Sequence, residues 1–163
     1  MKNFQNKAKI IKVSTGLRNI AFAGLVIWGA MIPIAFFTAM VELHISKQPA
    51  NSFTMFLEIP VYGFAFLTNL KIFRFLGRLK QGCFFDARTV GLLGAAANWW
   101  LALWIYEIIF YVLMQQPWKN PQDFSLYYFP PDIGDLFAAL ILKFVAWFFR
   151  EAQELQEEQE LTV

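Results

Sequence analysis

Residues 71–90 read KIFRFLGRLKQGCFFDARTV, and the meaning of this stretch decides the fold. It holds five of the fourteen Lys and Arg residues and one acid, Asp86, with apolar runs on both sides. A short basic segment between two apolar runs is expected to be the loop that two transmembrane helices share. Its charge is expected to mark the cytoplasmic side.

Outward from this loop, the pattern predicts helices at about 20–41, 55–78, 88–114 and 133–153. Asp86 is placed to cap the third helix, with Phe85 and Val90 at the spacing of a hydrophobic staple. Gly82 suits the stop of the second helix. That helix carries Glu58 and Pro60 near its start. The first helix, IAFAGLVIWGAMIPIAFFTAMV, has no charge and should kink near Pro33. The polar, basic residues 1–19 precede it, and the apolar run is too long for the core of a signal peptide. Asp132 can cap the fourth helix, with Asp135 in its first turn and residues 136–149 crossing the membrane. Residues 151–163 then form an acidic tail, in which the helix should run on into water and fray.

Composition agrees with this reading. The 163 residues are 58% hydrophobic, 18% aromatic and only 16% charged, against about 25% charged in a soluble domain. The fold class is therefore all-α: one transmembrane domain, a four-helix transmembrane bundle. One cysteine, Cys83, excludes an internal disulfide, and one histidine, His44, argues against a His-based metal site. No nucleophile with a base, phosphate loop or metal spacing is visible, so no cofactor, no catalytic residue and no enzyme activity is expected. Residues 1–19 and 71–90 carry five Lys or Arg each, and the other two connections carry one each, Lys47 and Lys119. Both termini are therefore expected in the cytoplasm, with the lipid bilayer as the first partner. Trp118, Tyr127, Tyr128 and Phe129 suit the outer interface. The basic groups are split and lack a binding motif, so direct contact with nucleic acid is not expected.

The connector IFRFLGRLKQGCFFDARTVGLLG and the ending AQELQEEQELTV resemble a known family. It is the bacterial four-helix membrane family catalogued as domain of unknown function 2975. Its connectors read like LFRLYRKGEIFSxENVxxLRxIG and its tails like LREEQDLTV. Here Asp86-Ala87-Arg88 stands where a Ser-x-Glu is common. The resemblance implies a bacterial inner-membrane protein with no established activity. It also implies a soluble partner of the helix-turn-helix regulator kind.

Several residues invite a role. Glu107 and Lys143 are ionisable groups inside spans, where such groups are rare and default to a functional hypothesis. Their side chains lean towards each other in depth, so a pair is one reading, and separate snorkelling is the other. Asn69 and Asn98 lie at similar depth, either bonded to each other or each to its own helix. Gly91, Gly94, Ala95, Ala96 and Ala97 make the start of the third helix slim enough for close packing. Trp99, Trp100 and Trp104 either line a pocket or fill space, with the indole N–H finding a polar partner. The basic connector either binds anionic lipid or serves only as a topology signal. For contact with a soluble cytoplasmic partner the candidates are Arg74, Arg78, Arg88, Glu154, Glu157 and Glu158. The reading that follows is a non-enzymatic membrane regulator. The alternative is a small transporter or immunity-type protein acting through Glu107 and Lys143.

Overall fold

The computed structural model describes residues 2–45, 49–83, 86–114 and 132–161. The loop at 115–131 with its aromatics and prolines, Phe85 of the expected staple, and the last two residues lie outside them. The described residues form four helices: α1 Lys2–Ile45, α2 Pro49–Lys80, α3 Ala87–Met114 and α4 Ile133–Leu161. Three stretches are long and apolar enough to cross a membrane: Ala8–Ile45, Phe56–Lys80 and Ala87–Val112. α4 is not among them. Its apolar part, residues 136–149, extends only about 21 Å at 1.5 Å per residue, contains Lys143, and meets Arg150 and Glu151 at once.

α1 differs most from the sequence expectation. It starts at Lys2 instead of near residue 20 and has 44 residues, about 66 Å of helix. Residues 2–19 contain no proline and a single glycine, Gly16, so nothing in them interrupts the helix that continues into the apolar run. Ser14 and Thr15 both donate their hydroxyls to the Ile11 carbonyl, at 2.9 and 2.8 Å, so their polar groups are satisfied within the helix. α1 and α2 continue as helices through Pro33 and Pro60.

Close approach of backbones joins α1 to α2, α2 to α3 and α3 to α4, and no other pair of helices among the described residues. α1 and α2 run antiparallel along most of their length, with Phe22 on Phe73, Trp28 stacked on Tyr62 and Phe36 edge-on to Phe56. At Gly24 the two helices approach closely: a Cβ there would lie 3.0 Å from Asn69 Oδ1. Buried positions favour small residues, including Ala39, Ala65, Ala96, Ala97 and Ala139. Large side chains such as Phe37, Ile20, Phe144 and Ile141 point outward. This inverted arrangement suits helices that pack through small residues in lipid.

Candidate functional site

The connector between α2 and α3 is a folded turn, built from both helix ends. α2 stops in a Schellman motif: Cys83 N–H bonds the Arg78 carbonyl at 3.1 Å, and Gly82 N–H bonds the Leu79 carbonyl at 3.0 Å. Gly82 has φ of 84°, the left-handed region that only glycine enters freely. α3 then starts at the Asp86 cap, whose Oδ1 accepts the Thr89 N–H at 2.8 Å. Arg78 reaches back from α2 and forms an ion pair with Asp86. Its Nε also donates to Thr89 Oγ1, which in turn donates to the Cys83 carbonyl at 3.1 Å. Thr89 is fully buried at the centre of these bonds. Burial acts to raise the Asp86 carboxyl, but hydrogen bonds from Thr89 and the charge of Arg78 outweigh it and hold its pKa below the usual value.

The sequence expectation of a cap at Asp86 and a stop at Gly82 is met here. Thr89 was not singled out, although the residue three after the cap commonly donates its N–H to the cap side chain. Of the three connector arginines proposed for a partner, Arg78 is already engaged within the turn, whereas Arg74 and Arg88 are exposed. Cys83 is a free thiol, partly exposed.

The polar groups expected to meet inside the helices are arranged differently. Glu107 and Lys143 do not form an ion pair. The charges that act on Glu107 are Asp132 and Asp135 at the start of α4, and Lys143 is exposed on α4. Side-chain lean along the helix brought the two together only in depth. The faces of α3 and α4 that meet carry Trp100 and Asp135 instead, with Trp100 Nε1 donating to Asp135 Oδ1 at 3.1 Å. Asn69 donates to the Ala65 carbonyl of its own helix at 3.0 Å and packs against Gly24, while Asn98 is exposed; no hydrogen bond joins the two. Trp99 packs on Phe64, and Phe64 on Tyr106, in an aromatic layer between α2 and α3 that fills space. Ala96 and Ala97 are fully buried, but Gly91 and Gly94 face open space.

One contact in this layer was missed by sequence reasoning. Tyr106 donates its hydroxyl to the Leu57 carbonyl at 2.5 Å. Pro60 disturbs the hydrogen bonding of the turn before it, and a neighbouring helix often satisfies the carbonyl it loosens. Tyr106→Phe should therefore lower stability by about 1 kcal/mol. The same change in a Pro60→Ala background should cost less, because α2 without the proline can satisfy its own carbonyls. Thermal melts of the four proteins in one detergent measure both values, and an equal loss in the two backgrounds would separate Tyr106 from Pro60.

At the end of the bundle that holds the connector, the guanidinium of Arg18 lies 4.7 Å over the Phe73 ring. Phe75 meets Phe149 edge-on at 6.3 Å. The N-terminal part of α1, the connector and the C-terminal part of α4 thus share one end. α4 begins at the expected cap, with Gly134 N–H on Asp132 Oδ1 at 2.8 Å. It does not break where its composition changes, and it stays helical to Leu161. Glu151, Glu154, Glu157 and Glu158 are exposed along this continuation. Among the described residues no group of three His, Cys, Asp or Glu side chains is placed to hold a metal ion.

Described residues that form helices, three of them apolar over a membrane-crossing length, mark a protein of membrane type. It belongs to the family described as Protein of unknown function (DUF2975), whose model matches residues 53–163. The match takes in nearly all of α2, the connector, α3 and α4, and α1 precedes it. No curated protein and no solved structure matches the chain.

Proposed function

We propose that this chain is a non-enzymatic regulator or sensor of the bacterial inner membrane, crossing it four times with both termini in the cytoplasm. Its connector and acidic tail contact a soluble partner, of which a helix-turn-helix transcription factor is one form. The observation that carries this reading is the unbroken continuation of α4. From Arg150 to Leu161 it projects about 17 Å of helix bearing exposed carboxylates at Glu151, Glu154, Glu157 and Glu158. Nothing in bilayer insertion requires such an extension. Exposed apolar side chains on α4, among them Phe137, Leu140, Ile141 and Phe144, support a fourth crossing. The distribution of Lys and Arg supports the orientation. Transport through Glu107 and Lys143 draws less support, because the two groups do not meet.

Two experiments test the proposal. In intact cells an impermeant thiol reagent should leave Cys83 unlabelled and should label a cysteine placed at Gln122. Labelling of Cys83 from outside would reverse the orientation. Removal of residues 153–163 should leave membrane accumulation and helical content unchanged. It should also abolish recovery of a soluble protein that copurifies with the full chain. Failure of the shortened chain to accumulate would make the tail part of the fold and remove the main support for a regulator.

A further inference from the structure

One side of α3 is uncovered along the whole length of the helix. The opposite side, with Leu93, Ala96, Ala97 and Leu103, is buried, and α2 and α4 are the helices that approach α3. Seven residues make nearly two turns of α-helix. Gly91, Asn98, Ile105 and Val112 therefore fall on one stripe, and all four are exposed. Gly94 lies on the same stripe between the first two. Nothing comes within 4 Å of a Cβ built at Gly91 or at Gly94.

Asn98 is the polar group on this stripe. It stands about 16 Å along α3 from the start of the membrane-crossing stretch Ala87–Val112, close to its middle. Its side chain is exposed and has no hydrogen-bond partner among the described residues. Asn69, by contrast, bonds the Ala65 carbonyl of its own helix. An outward amide at this depth faces lipid tails, which can neither donate nor accept a hydrogen bond. Amides within spans are met by a polar group on a neighbouring helix, and on this side of α3 the neighbour must come from another molecule. An amide is its own complement, with N–H donors and a carbonyl acceptor in one group. Two copies inserted in the same sense hold Asn98 at the same depth, and a two-fold axis along the membrane normal sets the two amides face to face. The rest of the stripe fits this pairing. Gly91 and Gly94 allow close approach of two backbones. Ile105 and Val112, β-branched and at the same heptad position as a single Asn, follow the pattern of parallel two-stranded helix pairs, in which the Asn fixes register.

We propose that the outward stripe of α3 is the interface with a second copy of this chain, in a parallel pair of α3 helices joined by a hydrogen bond between the two Asn98 amides. The inference needs only that α3 crosses a membrane, and it is independent of the regulator reading.

The test uses the full chain in phosphatidylcholine vesicles, labelled on Cys83 with donor or acceptor dye, so that energy transfer reports association. Transfer in the wild type should fall as added lipid dilutes the protein. Asn98→Val should shift the midpoint of that curve about tenfold towards higher protein density, the range of an interhelical amide contact. Gly91→Phe with Gly94→Phe should shift it at least as far, while the open space around both glycines accommodates the rings within one chain. Thermal melts of both variants in dilute detergent should match the wild type, since the stripe faces away from α2 and α4. In a Cys83→Ser background, oxidation of membranes should link Ile105→Cys into dimers and leave Phe144→Cys, on the outward side of α4, unlinked. Absence of transfer in the wild type at every density would overturn the proposal. So would a dilution curve unchanged by Asn98→Val, a lowered melt of that variant, or linkage through Phe144→Cys and not Ile105→Cys.

Discussion

Asp86→Ala should lower the stability of the purified protein by about 2 kcal/mol, made up of a lost helix cap of about 1 kcal/mol and a partly solvated ion pair of at most about 1 kcal/mol. Asp86→Asn should lose less, since its side-chain oxygen still accepts the Thr89 N–H and only the charge facing Arg78 disappears. The difference between wild type and Asp86→Ala should also depend on pH. The folded protein holds the Asp86 carboxyl below its usual value of 3.8, chiefly through Thr89 and Arg78 acting against burial. A carboxyl with a lowered folded pKa contributes stability that is fully present above the unfolded value. That contribution is lost as pH falls through the folded one. The gap should therefore be constant at neutral pH and close below about pH 4. Denaturation in one detergent at several pH values measures it, and a gap that widened on acidification would contradict the arrangement.

Gly24→Leu should be at least as damaging, at about 2–3 kcal/mol, because it places a large side chain where the Cβ alone would meet Asn69 Oδ1 at 3.0 Å. α1 and α2 touch along their length, so a local wedge disturbs the neighbouring ring contacts of Phe22 with Phe73 and Trp28 with Tyr62. Asn69→Ala alone should cost less, since its amide bonds only the Ala65 carbonyl of its own helix. The double variant Gly24→Leu with Asn69→Ala should recover at least 1 kcal/mol of the loss. Additive losses in detergent melts would mean that α1 and α2 do not approach at this point.

These two sites show what the sequence could and could not convey. Asp86 and Gly82 were legible because caps and stops are local: residue type and spacing determine the bonds. Gly24 facing Asn69 was not, since it depends on which faces of two helices meet, and apolar residues surround both helices almost evenly. The same limit explains Glu107 and Lys143. Depth along a helix follows from counting residues, but rotation about its axis follows from packing, and Asp132 and Asp135 proved to be the charges near Glu107. Residues 2–19 read as a polar lead because their charge dominates the pattern, yet no proline separates them from the apolar run and α1 includes them. The continuation of α4 was visible because Glu and Gln both form helices well and no Gly or Pro interrupts them.

Close backbone contact between consecutive helices alone has a bearing on biogenesis. Each helix can find its principal neighbour as soon as that neighbour has emerged, so the chain can assemble in the order of its synthesis. The α1–α2 hairpin would be complete while α4 is still unmade. Among the described residues no early segment waits with its packing face open for a late one, apart from the patch where Phe75 receives Phe149. Contacts then form between neighbours in the sequence, the condition under which they form fastest and traps are fewest.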